Sequence, residues 1–206
     1  MTLVRGVDGC REGWISVTSD LSSGQYSWSL ASSLRELADA EPRSEVIAVD
    51  VPIGLPDSGS RECDIAARRL LGPGRASSVF PAPIQRVLDS KTHAEASAVR
   101  EAAEGKRISI QAWAIIPKIR EVDLALRSDP SLRSGVREVH PEVCFFYMAW
   151  GRAMQHAKKG RGCSTDDLLD ALAAIWTAGR IVNGVAVTVP ANPGHDRFGL
   201  PMEMVA

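Results

Sequence analysis

Leu3-Val4-Arg5-Gly6-Val7-Asp8-Gly9 decides the fold. Its apolar residues read as a short buried strand that ends in an acidic turn. Gly6 and Gly9 let the backbone bend there or approach another element closely. Just downstream, Gly13-Trp14-Ile15-Ser16-Val17-Thr18 alternates as a second strand. Ser22-Ser23-Gly24 then marks a turn before a third, Tyr26-Ser27-Trp28-Ser29-Leu30. Three strands joined by short turns predict an antiparallel meander.

Working outward, Ser32 to Ala38 reads as a helix, with Ser33 and Glu36 spaced as a capping box. Glu45 to Pro52 is a second apolar run ending in an acid, Asp50; its Ile/Val-rich, non-alternating character suits a central strand covered on both faces. From Asp57 to about residue 130 the character changes. Helical patterns at Cys63 to Leu71, Thr92 to Gly105 and Ile110 to Leu126 surround a Gly/Ser/Pro-rich loop, Gly72 to Pro83, which could hold a phosphate or, rigidified by its prolines, pack Phe80 onto the core. This is expected to be a mostly helical insertion. Val136 to Glu142 returns to a strand that ends at Pro141, and Asp166 to Val182 is an amphipathic helix capped by Ser164 or Thr165. The predicted class is α/β: a mixed sheet with flanking helices, in one domain spanning residues 1–206.

The bulk composition agrees with such a domain. The chain has 206 residues, 45% hydrophobic and 24% charged, enough to bury a sizeable core. No apolar stretch approaches the length of a membrane span, and the N-terminus runs into a strand pattern without the apolar block of a signal peptide. A cytoplasmic protein is expected. Cys10, Cys63, Cys144 and Cys163 are scattered, so neither zinc nor disulfides are expected. The net charge of −1 excludes a global basic field for nucleic acid. Two local basic clusters remain as phosphate contacts or solvated faces: Arg61, Arg68, Arg69 and Arg75, and Arg152, Lys158, Lys159 and Arg161.

In open sheets of this kind, sites lie beyond the carboxyl ends of the strands. Asp8 and Asp50 both fall there. Each alone could be a turn aspartate bonded to its own loop, but two strands with the same ending favour a shared site. The last helix carries Asp166, Asp167 and Asp170, with Asp167 and Asp170 on one face. Acids in a first turn also complement the helix dipole, an explanation that suits Asp170 least. Ala171, Ala173, Ala174 and Ala178 would let this helix lie close to the sheet and bring its first turn to the strand ends. Strand alternation places Glu138, His140 and Glu142 on one side, as candidates for metal binding or proton transfer. Carboxylates gathered in this way suit Mg²⁺ or Mn²⁺ and phosphoryl chemistry, since hard cations prefer oxygen and offset the mutual repulsion of the acids.

On these residues the chain resembles domain-of-unknown-function family 429, described as predicted nucleases of the ribonuclease H-like superfamily. The matching pieces include Gly6-Val7-Asp8-Gly9-Cys10-Arg11, Ala48-Val49-Asp50-Val51-Pro52-Ile53-Gly54-Leu55-Pro56, Arg75 to Pro83, Pro117-Lys118-Ile119-Arg120-Glu121-Val122-Asp123, Glu138-Val139-His140-Pro141-Glu142 and Asp166 to Ala171. The resemblance implies a ribonuclease H-like fold in which the first strand, a later strand and the last helix supply metal-binding acids, here Asp8, Asp50, Asp167 and Asp170. The connection Gly160 to Thr165 is shorter than in that family. Arg75, Ser77 and Ser78 could hold a phosphate; Lys118 could contact phosphate or pair with Glu121.

The expected activity is metal-dependent hydrolysis of a phosphodiester by activated water, with nucleic acid as substrate. Glu138, His140 or Glu142 would assist proton transfer, and a homodimer is compatible with the sequence. Alternatives from other classes are a non-catalytic nucleic-acid- or protein-binding module, and a small-molecule phosphoryl transferase related to actin-like kinases. The last is weakened by the lack of a G-x-x-x-x-G-K loop.

Overall fold

The opening apolar run forms β1 (Leu3–Cys10), and the meander continues through β2 (Gly13–Asp20) and β3 (Gln25–Ala31). The computed structural model describes residues 1–149 and 163–206. The basic cluster Arg152, Lys158, Lys159 and Arg161 lies outside them, as does the start of the short connection at Gly160. A helix, α1 (Leu34–Asp39), follows the meander. Half of its capping box forms: Ser33 Oγ accepts from the Glu36 N–H (3.1 Å), while the Glu36 carboxylate accepts from Ser32 N–H and Oγ (both 2.8 Å) rather than from the Ser33 N–H. The apolar run at residues 46–49 forms β4 (Val46–Val49).

Between β4 and β5 (Val136–Glu138) the chain is helical: α2 (Glu62–Leu71), α3 (His93–Glu104) and α4 (Ile110–Ser128), with short 3₁₀ turns. The sheet order is β3-β2-β1-β4-β5. β1, β2 and β3 pair antiparallel, and β4 and β5 add in parallel on the other side of β1. This mixed sheet with helices on its faces is the ribonuclease H-like fold that the resemblance implied. Among the described residues, no helix is long and apolar enough to cross a membrane.

The strand expected to end at Pro141 ends before it: β5 stops at Glu138, and Pro141 opens a helix that the sequence reading did not expect, α5 (Pro141–Tyr147), capped by His140. Proline is tolerated at a first helical position because its missing N–H would have no intrahelical partner there.

The sheet divides the core by strand parity. On one face Val7, Ile47, Val49 and Val136 pack with α1 and α4. On the other, Val4, Ile15, Val17, Val46 and Ala48 pack against α5 and the last helix, α6 (Cys163–Val182). Ser164 and Thr165 lie within α6 rather than at its cap. Ala171, Ala173, Ala174 and Ala178 are fully buried, and the α6 backbone rests directly on β1. A Cβ at Gly6 would stand 2.2 Å from the Ala171 carbonyl oxygen and from the Ile175 nitrogen. Hence only glycine permits this approach. Beyond the helix, β6 (Thr188–Val189) and β7 (Met204–Val205) form a small ribbon that joins the main sheet through a Val139–Val205 bridge. The edge strand β3 leaves Tyr26, Trp28 and Leu30 exposed on the α6 face of the sheet.

Candidate functional site

Strand parity also sets where the acids point. Along β1, Val4, Gly6 and Asp8 share the α6 face; along β4 and its continuation, Val46, Ala48 and Asp50 do the same. Gly6 is the register partner of Ala48, and the Asp50 N–H bonds to the Val7 carbonyl (3.0 Å), so Asp8 and Asp50 emerge side by side. Asp170 immediately precedes Ala171, the residue seated over Gly6. Asp8, Asp50 and Asp170 therefore meet: each offers one carboxylate oxygen, and these lie within 4.8 Å of one another. Asp8 is buried, and its Oδ1 accepts from the Gly9 N–H (2.7 Å), which fixes the carboxylate against its own turn.

Asp167 is not part of this set of three. It lies a turn earlier on α6, where its charge acts on Cys10. Burial is the main cause that raises the Cys10 thiol above its ordinary value, and Asp167 is a smaller contribution in the same direction.

The three acids line a cleft of about 470 Å³ over the ends of β1, β4 and β5. Its other walls come from α4 (Ala114, Ile115, Lys118), the loop carrying Ser78 and Phe80, and the start of α5.

Of the remaining predicted residues, Glu138, His140, Glu142, Ser78 and Lys118 also line the cleft. Glu138 shares its register with Val49 and so sits on the opposite sheet face from Asp8 and Asp50. Arg61, fully buried, grips it with two bonds (2.7 and 2.8 Å) and also bonds Asp64 (2.6 Å). Glu138 Oε2 additionally accepts from the Ile53 N–H (2.5 Å). Burial pushes the Glu138 carboxyl up to about 7, with Arg61 pulling it down. Glu138, expected to assist proton transfer, is instead the anchor of a buried ion pair. Arg61 likewise leaves the supposed phosphate-binding cluster.

His140 and Glu142 brace the cleft wall. His140 caps α5, its Nδ1 accepting from the Glu142 N–H (3.2 Å) and its Nε2 facing the Ser78 carbonyl oxygen (3.3 Å). Glu142 pairs with Arg75 (2.9 Å). Ser78 Oγ donates to the Arg75 carbonyl (2.7 Å), and Ser77 is exposed and not among the residues lining the cleft. The expected phosphate cradle of Arg75, Ser77 and Ser78 is thus a braced turn. The Lys118 ammonium bonds the Gly13 carbonyl and lies 4.3 Å from the Trp14 ring centroid. Glu121, its expected partner, accepts instead from Trp14 Nε1 (3.0 Å) and the Leu34 N–H (2.6 Å).

Sequence reasoning passed over two features of the cleft. Phe80, which the sequence allowed to pack onto the core, is 54% exposed and stands in the wall. The C-terminal segment supplies Met204 to the lining and holds the β4 loop through Asp196, which accepts from the Leu55 N–H (3.3 Å).

A family model described as "Protein of unknown function (DUF429)" matches residues 6–195. The chain belongs to the DUF429 family. The matched region contains all three clustered acids of this DUF429 protein, from the end of β1 to the first half of α6. No curated protein and no solved structure matches the chain.

Proposed function

We propose that this DUF429 protein is a divalent-metal-dependent phosphodiesterase acting on nucleic acid. One observation carries the reading: Asp8, Asp50 and Asp170, far apart in sequence, bring carboxylate oxygens within 4.8 Å of one another at the floor of a cleft. The donor set fits Mg²⁺ or Mn²⁺. Such ions take oxygen ligands at about 2.1 Å, so oxygens on one ion stand roughly 3–4 Å apart, within a small carboxylate rotation of the arrangement here. A bound ion would offset the charge of three crowded acids and act as the Lewis acid for phosphoryl transfer.

The chain's own groups divide the work around that centre. Asp8 is oriented by the Gly9 N–H, and Asp170 is placed by the contact of α6 with Gly6. His140 and Glu142 hold the cleft wall through Ser78 and Arg75.

The test is a screen of single-stranded, hybrid and branched substrates with Mn²⁺. Wild type should cleave at least one of them, and Asp8→Asn should abolish the cleavage while retaining its circular dichroism spectrum. Cleavage that persists unchanged in folded Asp8→Asn, or in excess EDTA, contradicts the proposal.

A further inference from the structure

The cleft wall formed by residues 78–82 is closely braced for a surface loop. Val79 and Ala82 are buried, and the chain between them turns Phe80 outward to stand more than half exposed beside the cleft. Each flank is pinned. Arg68 donates to the Val79 carbonyl (2.8 Å), Asp64 accepts from the Ala82 N–H (2.9 Å), and His140 faces the Ser78 carbonyl. The Arg75–Glu142 pair and the bond from Ser78 to Arg75 close the turn on its other side. Four residues that read as catalytic or phosphate-binding in the sequence thus hold one exposed phenyl ring. Ile115, 37% exposed, and Ala114 also line the cleft.

Among the described residues, the cations in and beside the cleft are engaged. Arg61 is buried in its ion pair, Lys118 is engaged by Gly13 and Trp14, and Arg75 is paired with Glu142. Duplexes are held chiefly by Lys and Arg side chains on their phosphates, whereas unpaired strands also gain from stacking of their bases on aromatic rings, with little need for sequence. An acidic floor suited to one metal-held phosphate, beside an apolar wall with a fixed aromatic ring, matches the second kind. We propose that Phe80 stacks an unpaired base of a nucleic-acid strand whose adjacent phosphate faces Asp8, Asp50 and Asp170, making single strands the preferred substrate. The substrate class rests on the phosphodiesterase reading; the stacking itself does not.

Binding separates the two. Fluorescence anisotropy with a labelled 12-nucleotide oligothymidylate, and with its duplex on oligoadenylate, is measured in Ca²⁺ for wild type, Phe80→Ala and Phe80→Trp. The single strand should bind more tightly than the duplex. Phe80→Ala should weaken it about 5- to 100-fold, the range expected for losing one stacked base, and Phe80→Trp should keep it. Equal or tighter duplex binding, or a folded Phe80→Ala variant that binds like wild type, overturns the inference. Strand binding that depends on Phe80 in a protein with no Mn²⁺-dependent turnover sinks the phosphodiesterase reading alone. Turnover lost in Asp8→Asn but indifferent to Phe80 sinks the stacking alone.

Discussion

Arg61 illustrates how a single residue changes meaning between sequence and structure. In the chain it opens a basic run; in the fold it is buried between Glu138 and Asp64. Removing one partner of such a group leaves uncompensated buried charge, so Arg61→Met should cost about 3–5 kcal/mol. Urea denaturation checks this, and a loss below about 1 kcal/mol would show that the site relaxes or hydrates. Asp8 and Asp50 were legible because each ends an apolar strand, a poor place for an unneeded acid. Glu138 was misread because its role depends on which sheet face it takes, and that follows from β5 pairing in register with β4, not from the local pattern. The outward turn of Phe80 was illegible for a related reason: Val79 and Ala82 are core, and nothing in sequence tells that the two residues between them turn outward.

At the scale of elements, the contact of α6 with β1 positions the centre. Gly6→Ala would place a methyl group within the α6 backbone, forcing the helix outward and carrying Asp170 with it. The expected cost is about 1–3 kcal/mol, the usual range for overpacking, together with weakened Mn²⁺ affinity. Thermal melts and a Mn²⁺ titration of the same variant test both, and native affinity with native stability would contradict the close contact. This packing was readable in part, since Ala171, Ala174 and Ala178 recur at helical spacing and Gly6 sits in the facing strand. The helix α5 was missed although its signal is present: Pro141 at a first helical position and Glu142 in the first turn. The strand-like run before it outweighed those cues. The ribbon of β6 and β7 has strands too short to leave a periodic pattern.

For the whole molecule, the two faces of the sheet carry separate apolar cores that need no ion to form. The protein should therefore stay cooperatively folded in EDTA, unlike small domains that a structural metal holds together. A saturating divalent ion would add stability by mass action, about 2.7 kcal/mol at a hundred times its dissociation constant. Differential scanning calorimetry with and without Mn²⁺ tests this; unfolding on chelation would mean that the ion is part of the core. The measurement that bears most directly on the central claim is calorimetric titration of Mn²⁺ into wild type, Asp50→Asn, Asp170→Asn and Glu138→Gln. Binding should be lost or strongly weakened in the two Asp variants and kept in folded Glu138→Gln, whose side chain lies on the other face of the sheet. Wild-type affinity in folded Asp50→Asn and Asp170→Asn would show that these carboxylates meet for some reason other than a shared cation.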